Sequence, residues 1–394
     1  MKVLLAAVSS SSRPDGIIRH AANVAHAIAL HANVERVDLV FGTWQRDAFT
    51  SLLESKEDRI TLTTAQARNT SFSRNYWHWT GLPQLAAAFE SDIVHMAYPA
   101  PIHKRAFRRP TVVTLHDLYP YDIPANFGYP RVFVNRIILQ QCLRAVDSIA
   151  CVSDSTMQRL EVDLPTSIVE KATTIYNSVN SGKPVASKNP CGGWYPDPFL
   201  LCVAQHRRNK NLPLAIHLLR RLIDSADVPH NTRLLIVGTD GPETAAIKRL
   251  IRKSALEANV LLLQGVSDET LNWYYSHCEL LIATSTIEGF GLPIVEAMHH
   301  RCRVVCSDIP AFREVGGSYC DYVPLGDDAV AAFAKAIRTA LKDKRFRAAE
   351  TDQFSPPRVG CTYLNLYSGL LQAAEQHSPG GRQAPVPALE RGRP

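Results

Sequence analysis

At 394 residues, 46% apolar and 20% charged, the chain is long enough for two domains of ordinary size and has the composition of a soluble globular protein. Its net charge of +6 is modest for this length, which argues against nucleic acid as a partner. No apolar run approaches the ~20 residues of a spanning helix, and nine scattered cysteines without a Cys-x-x-Cys pair predict a reduced, cytoplasmic chain whose membrane contact, if any, is peripheral.

Met1–Val8 reads as a first buried strand, because its apolar run is too short for a secretory leader and passes directly into serines. Further strand-like runs follow at Val37–Phe41, Ile93–Ala97, Thr111–Leu115 and Ile149–Val152, with helical patterns at Ile17–His31 and Val132–Ala145. Breakers from Gly182 to Pro198 mark a linker over 181–198, after a first domain at 1–180. The rhythm resumes over 199–362, with strands at Phe199–Ala204, Leu234–Gly238, Val260–Gly265, Leu280–Ala283 and Val304–Cys306. Helices are expected at Leu212–Ile223, Glu243–Ala258 and Glu269–Ser276, a final helix near 363–375, and a disordered tail over 377–394. Strands alternating with helices predict an α/β protein with two doubly wound parallel sheets, each covered on both faces.

Candidate site residues gather where strands end. Ser9–Gly16 follows the first strand, where such folds bind ligands, but it is no Gly-x-Gly-x-x-Gly fingerprint, so a nicotinamide cofactor is not expected. His116 and Asp117 close the Thr111–Leu115 strand, with Asp117 equally able to cap the next segment. Gln205–Asn211 is a cationic loop before a helix. The run from Ser285 to Met298 is the most informative. It reads as strand, Gly-rich turn and helix, with Pro293 in the first turn, Glu288 on the turn and Glu296 one turn into the helix. Free N–H groups at a helix start attract anions, and two carboxylates beside them accept hydrogen bonds from polyols, a combination that suits a phosphorylated sugar.

That run, continued by Val304–Asp308 and by Arg313–Gly317, resembles the donor-site motif of family-four retaining glycosyltransferases with the GT-B fold. The resemblance departs from the family at Arg301 and Arg303, which stand where Gly and Pro are usual. Gly16-Ile17-Ile18-Arg19, Lys210-Asn211-Leu212, Val237–Pro242 and Leu263–Asp268 are similar to other family landmarks. The resemblance implies two Rossmann-like domains facing across a cleft, the first binding acceptor and joined by the C-terminal helix, the second binding a nucleoside diphosphate sugar. It implies Glu288, His116 and Lys210 as catalytic residues. Glu296 would bind ribose, Val266 the base, Lys210 with Arg207 or Arg208 the diphosphate, and Gly16 and the N–H groups around Gly289, Phe290, Gly291 and Leu292 sugar or phosphate.

The expected activity is retaining transfer of a hexose to a hydroxyl of a glycan or lipid-linked acceptor, with GDP-mannose slightly favoured as donor. No Asp-x-Asp occurs, so no metal or cofactor is expected. Zinc at Cys302, Cys306 and His299 or His300 is disfavoured because those cysteines flank a strand expected to be buried. The alternatives are a sugar-nucleotide epimerase of the same fold, a degenerate scaffold, and a membrane-surface binder using His103–Arg109. The rings at Tyr76–Trp79 either border the acceptor site or pack in the core.

Overall fold

The computed structural model describes residues 1–53, 58–124, 129–179, 197–343 and 347–376. Nearly all of the expected linker, and the whole expected tail, lie outside them.

The first sheet contains β1 (Lys2–Ala6), β2 (Arg36–Gly42), β3 (Ile60–Ala65), β4 (Ile93–Met96), β5 (Thr111–Leu115), β6 (Ser148–Cys151) and β7 (Ala172–Thr174). Its order is β3-β2-β1-β4-β5-β6-β7. The second contains β8 (Phe199–Val203), β9 (Arg233–Val237), β10 (Val260–Leu263), β11 (Leu280–Ala283), β12 (Val304–Ser307) and β13 (Asp321–Val323), ordered β10-β9-β8-β11-β12-β13. Neighbouring strands run parallel throughout, as at Leu5↔Leu39 and Leu281↔Val304. Strand order therefore reverses between β1 and β4 and between β8 and β11. Those two crevices, at the carboxyl ends of the strands, are where doubly wound sheets take ligands.

The continuous apolar runs follow from burial on both faces. Val3 and Leu5 of β1 pack with the helix Gly16–Ala29, while Leu4 and Ala6 face Trp77, Leu82 and Leu139 on the other side. The last helix, Pro356–Gln376, closes the first domain. It begins seven residues before the expected start at Tyr363, because Pro356 and Pro357 fit a first turn whose N–H groups have no helical acceptor. A side chain at Gly360 would place its Cβ 2.2 Å from the Ala27 carbonyl, so glycine there lets the two helix backbones touch. Tyr363 and Tyr367 are fully buried beneath it.

Those tyrosines end a buried polar chain. His95 Nδ1 meets the Tyr367 hydroxyl at 2.7 Å, His95 Nε2 and His20 Nε2 both meet Thr114 Oγ1 at 2.9 and 3.0 Å, and His20 Nδ1 meets Asn177 Oδ1 at 2.7 Å. The amide oxygen only accepts, so His20 donates from Nδ1 and receives the Thr114 hydroxyl at Nε2. Thr114 then accepts from His95 Nε2, and His95 Nδ1 accepts from Tyr367. One proton arrangement satisfies every member with both imidazoles neutral.

Candidate active site

The loops after β8 and β11 are sewn together. Thr284 Oγ1 donates to the Lys210 and Asn211 carbonyls at 2.9 and 3.1 Å, and the Thr286 N–H donates to the Asn209 carbonyl at 2.8 Å. Asn211 takes a left-handed backbone (φ 48°), which turns the chain into the helix Leu212–Asp224. This fixes Lys210, whose Nζ lies 2.5 Å from Glu288 Oε1. Two residues expected at the site from separate motifs thus meet directly. Glu288 Oε2 also accepts from the Tyr119 hydroxyl at 3.4 Å, and Asn209 Nδ2 donates to that hydroxyl at 3.1 Å. Tyr119 comes from the first domain, so both domains reach the Glu288 carboxylate.

The glycines of the turn serve different ends. A Cβ at Gly289 would fall 1.6 Å from the His116 carbonyl, so only glycine lets the two domains approach here. The Gly289 carbonyl accepts from Ser153 Oγ at 2.5 Å and Thr156 Oγ1 at 3.0 Å, on the first turn of the helix Asp154–Asp163. The same helix start is held by Glu314, which accepts from the Asp154 and Ser155 N–H groups at 2.6 and 2.9 Å. Gly291 (φ 122°) opens the helix Leu292–His299, with Pro293 in its first turn. Phe290 turns its ring into the core, against Tyr176 and Phe354.

Glu296 stands apart from Glu288. It lines an open cavity of about 620 Å³ with Leu292, Arg19, Asp268, His299 and His300. Glu288 lines another, of about 330 Å³, with Lys210, Pro293 and Phe312. The start of one helix therefore divides the two carboxylates. Burial raises the pKa of Glu296, while the Arg19 charge and the Tyr275 hydroxyl, 2.8 Å from Oε2, act to lower it. Arg19 crosses from the first domain and pairs with Asp268 at 2.6 Å. Val266 packs against the second-domain core, two residues before Asp268.

His116 donates from Nε2 to the Ala97 carbonyl at 2.8 Å, which leaves Nδ1 as the acceptor. Burial lowers its pKa to about 4, and the His20 ring meets it edge-on at 4.6 Å. Burial, helped by the Glu288 charge, raises Asp117 to about 6, although its Oδ1 accepts the Tyr119 N–H at 3.1 Å. Arg207 and Arg208 are exposed. The Arg207 charge reaches Asp117 and Asp15 of the first domain. Asp15 caps the helix that begins at Gly16, accepting the Ile18 N–H at 3.0 Å, and the space above Gly16 is open.

Cys302 faces Cys278 at 3.2 Å and Cys306 is hydrogen-bonded to Cys320, all four as free thiols. No group of three metal-binding side chains occurs among the described residues. At Arg301 the backbone is left-handed (φ 54°), the conformation a glycine would adopt. The Cys302 N–H reaches the Ala297 carbonyl and the Arg301 N–H the Met298 carbonyl, at 2.9 and 3.1 Å, so the helix closes as it would with glycine. The departure from the usual pattern leaves the turn intact.

Sequence reasoning missed Tyr119 and Tyr275, and carried Asn209, Asp268 and Arg19 only as parts of patterns, with no role of their own. Tyr119 lies two residues beyond Asp117 and Asn209 inside the cationic loop, but no spacing says that they meet.

Residues 194–353 match the family model "Glycosyl transferases group 1", and residues 14–183 match "Glycosyltransferase Family 4". The chain is 27% identical to the O-antigen chain mannosyltransferase RfbU of Salmonella typhimurium over 68% of its own length and 69% of that protein's. It is 26% identical to O-antigen chain mannosyltransferase B of Escherichia coli, over 66% and 70%. Among solved structures, HepE of Anabaena, in complex with UDP and glucose, superposes with a TM-score of 0.65 at 19% identity, covering 95% of this chain and 97% of that one. WaaG, a glycosyltransferase involved in lipopolysaccharide biosynthesis, superposes with a TM-score of 0.64 at 16% identity, covering 96% and 100%. No helix among the described residues is long and apolar enough to cross a membrane. The chain belongs to the group 1 glycosyltransferases and has their GT-B fold of two Rossmann-like domains.

Proposed function

We propose that this glycosyltransferase moves a mannosyl group from GDP-mannose to a hydroxyl of a glycan or lipid-linked acceptor, with retention and without a metal ion. The observation that carries the reading is the Lys210–Glu288 pair, set at the carboxyl ends of β8 and β11 where the first domain also touches it. The O-antigen mannosyltransferases among the relatives support the choice of sugar.

In this reading Lys210, Arg207 and the N–H groups at the start of Leu292–His299 take up the charge that develops on the leaving diphosphate, where fixed charges act most strongly. They supply what a bound cation would otherwise supply. Glu296 receives the ribose hydroxyls and Glu288 the sugar hydroxyls. His116, neutral at pH 7, accepts a sugar hydroxyl at Nδ1 and does not carry the proton. The bond from the anomeric carbon to phosphate breaks as the acceptor oxygen bonds on the same face. The acceptor proton passes to the departing phosphate oxygen, so no carboxylate nucleophile at glycosidase spacing is required.

Thermal unfolding with GDP, UDP or ADP tests the donor site. GDP should raise the midpoint by mass action, with about 2.7 kcal/mol available at a hundredfold excess over Kd. The shift should survive EDTA and vanish in Glu296→Ala. Stabilisation by UDP alone, or its loss in EDTA, overturns the reading. Product analysis with GDP-mannose checks the chemistry: an inverted glycoside, or an epimerised sugar formed without acceptor, counts against it.

A further inference from the structure

We propose that one face of the first domain docks on an anionic phospholipid bilayer. Three segments build it: the helical run Ser71–Ala88, the loop 97–110, and the helix Arg131–Ala145. Their inner sides bury Trp77, Leu82, Ile102, Leu139 and Leu143 in one apolar cluster against the same side of the first sheet. They are also joined to one another. Trp79 stacks on His103 at 5.1 Å, and Gln141 bonds both the N–H and the carbonyl of Ile102 at 3.0 and 2.7 Å. They form one continuous layer.

The outer side of that layer is unlike the rest of the surface. Phe72, Tyr76, Trp79, Phe133, Val134 and Ile137 are 81, 61, 40, 55, 51 and 67% exposed. They are six of the ten large apolar side chains exposed among the described residues, so the apolar surface is concentrated and not scattered. The helix Arg131–Ala145 is apolar inward at Leu139 and Leu143 and outward at Phe133 and Ile137, the signature of a helix with a second apolar surface to cover.

Charge selects the occupant. Residues 66–89, 97–116 and 129–146 contain nine Lys and Arg and no Asp or Glu, which leaves 34 basic against 37 acidic residues elsewhere. The net positive charge of the protein therefore resides in these segments. Lys104 is paired with Asp147, but Arg105, Arg108 and Arg109 are exposed. Exposed aromatic and aliphatic groups among cations, with Asp147 against Lys104 but no acidic residue within the three segments, match an interface of anionic headgroups over acyl chains. Two of the segments begin after β3 and β5, at the carboxyl ends of the strands, and Phe72, Tyr76, Phe133 and Ile137 lie in their first two turns. Asn69 beside them bonds the Ser10 carbonyl at 3.1 Å, in the loop after β1. Docking on this face brings the mouth of the first-domain crevice to the lipid surface.

Co-sedimentation of the whole chain with vesicles tests this independently of the donor chemistry. Vesicles of phosphatidylcholine containing phosphatidylglycerol should bind it, phosphatidylcholine alone should not, and high salt should release it. Each arginine near the surface contributes about fivefold, so Arg108→Ala with Arg109→Ala should weaken binding about 25-fold. Phe133→Ser with Ile137→Ser should also weaken it. The circular dichroism of both variants and their thermal shift with GDP should match wild type, because these side chains are exposed. Failure to bind anionic vesicles, or equal binding by both variants, overturns the proposal. So does wild-type self-association that Phe133→Ser with Ile137→Ser abolishes, since the face would then be covered by a second copy.

Discussion

Mild acid should destabilise this protein through its buried histidines. Burial lowers the pKa of His95 to about 3, and those of His78 and His116 to about 4, from an ordinary 6.5. Unfolding frees each to bind a proton below pH 6.5, so the unfolded state holds more protons and stability falls as the pH is lowered. The loss begins at 6.5 and continues down to the folded values. Between pH 7.5 and 5.5 each histidine removes about 1.3 kcal/mol, or roughly 4 kcal/mol for the three. Asp117 acts oppositely. Its pKa is raised to about 6, so its protonation in the folded state returns about 0.8 kcal/mol over the same interval. These four groups together give a loss of roughly 3 kcal/mol, a large fraction of a domain's stability. Urea denaturation at the two pH values measures it. His95→Gln should be less stable at pH 7.5, because it breaks the chain from Tyr367 to Thr114, but its pH dependence should be shallower by about 1.3 kcal/mol. A parallel dependence in variant and wild type would refute the claim that burial holds His95 neutral.

The remaining expectations concern the site and one turn. Glu288→Ala and Lys210→Ala should each reduce turnover by roughly 10²–10³, the cost of removing a group aimed at developing charge; near-normal rates in both would remove the pair from the chemistry. Gly289→Ala should reduce turnover at least ~10-fold through misplaced reacting groups, because its Cβ collides with the His116 carbonyl, yet leave the thermal shift with nucleotide in place. A wild-type rate would mean that the domains react without this contact. Arg301→Gly should stabilise the fold by about 0.5–1 kcal/mol by relieving a left-handed non-glycine residue, and an unchanged urea midpoint would count against strain there.

What could be read in advance divides along physical lines. Strands buried on both faces, such as β1, β8 and β11, appear as unbroken apolar runs. The edge strands β3, β7 and β13 do not, although the edge strand β10, Val260–Leu263, does. β3 is Ile-Thr-Leu-Thr-Thr-Ala, its apolar run broken by three threonines, while β7 and β13 have three residues each and sit at sheet margins. Helix ends are obscured for a different reason. Ala226, Ala255 and Arg301 are all left-handed where a glycine would have marked the stop. This is why Thr244–Lys253 ends well before the expected Ala258. The Glu288 and Glu296 placements were legible because both lie in one turn-helix unit. Tyr119, Arg19 and Tyr275 were not, since each reaches its carboxylate from another element.

The helix Pro356–Gln376 has a consequence for biosynthesis. It completes the core begun by β1 and the helix Gly16–Ala29, yet it leaves the ribosome after every strand of both sheets. The nascent first half must wait while the second half is translated, roughly 10–40 s at 5–20 residues per second. During that interval the face of the helix Gly16–Ala29 that Val359, Tyr363 and Tyr367 cover stays open, and the order of synthesis runs against the order of burial. The second domain can close first although it is made later, and a chain ending before Pro356 would leave the first domain open.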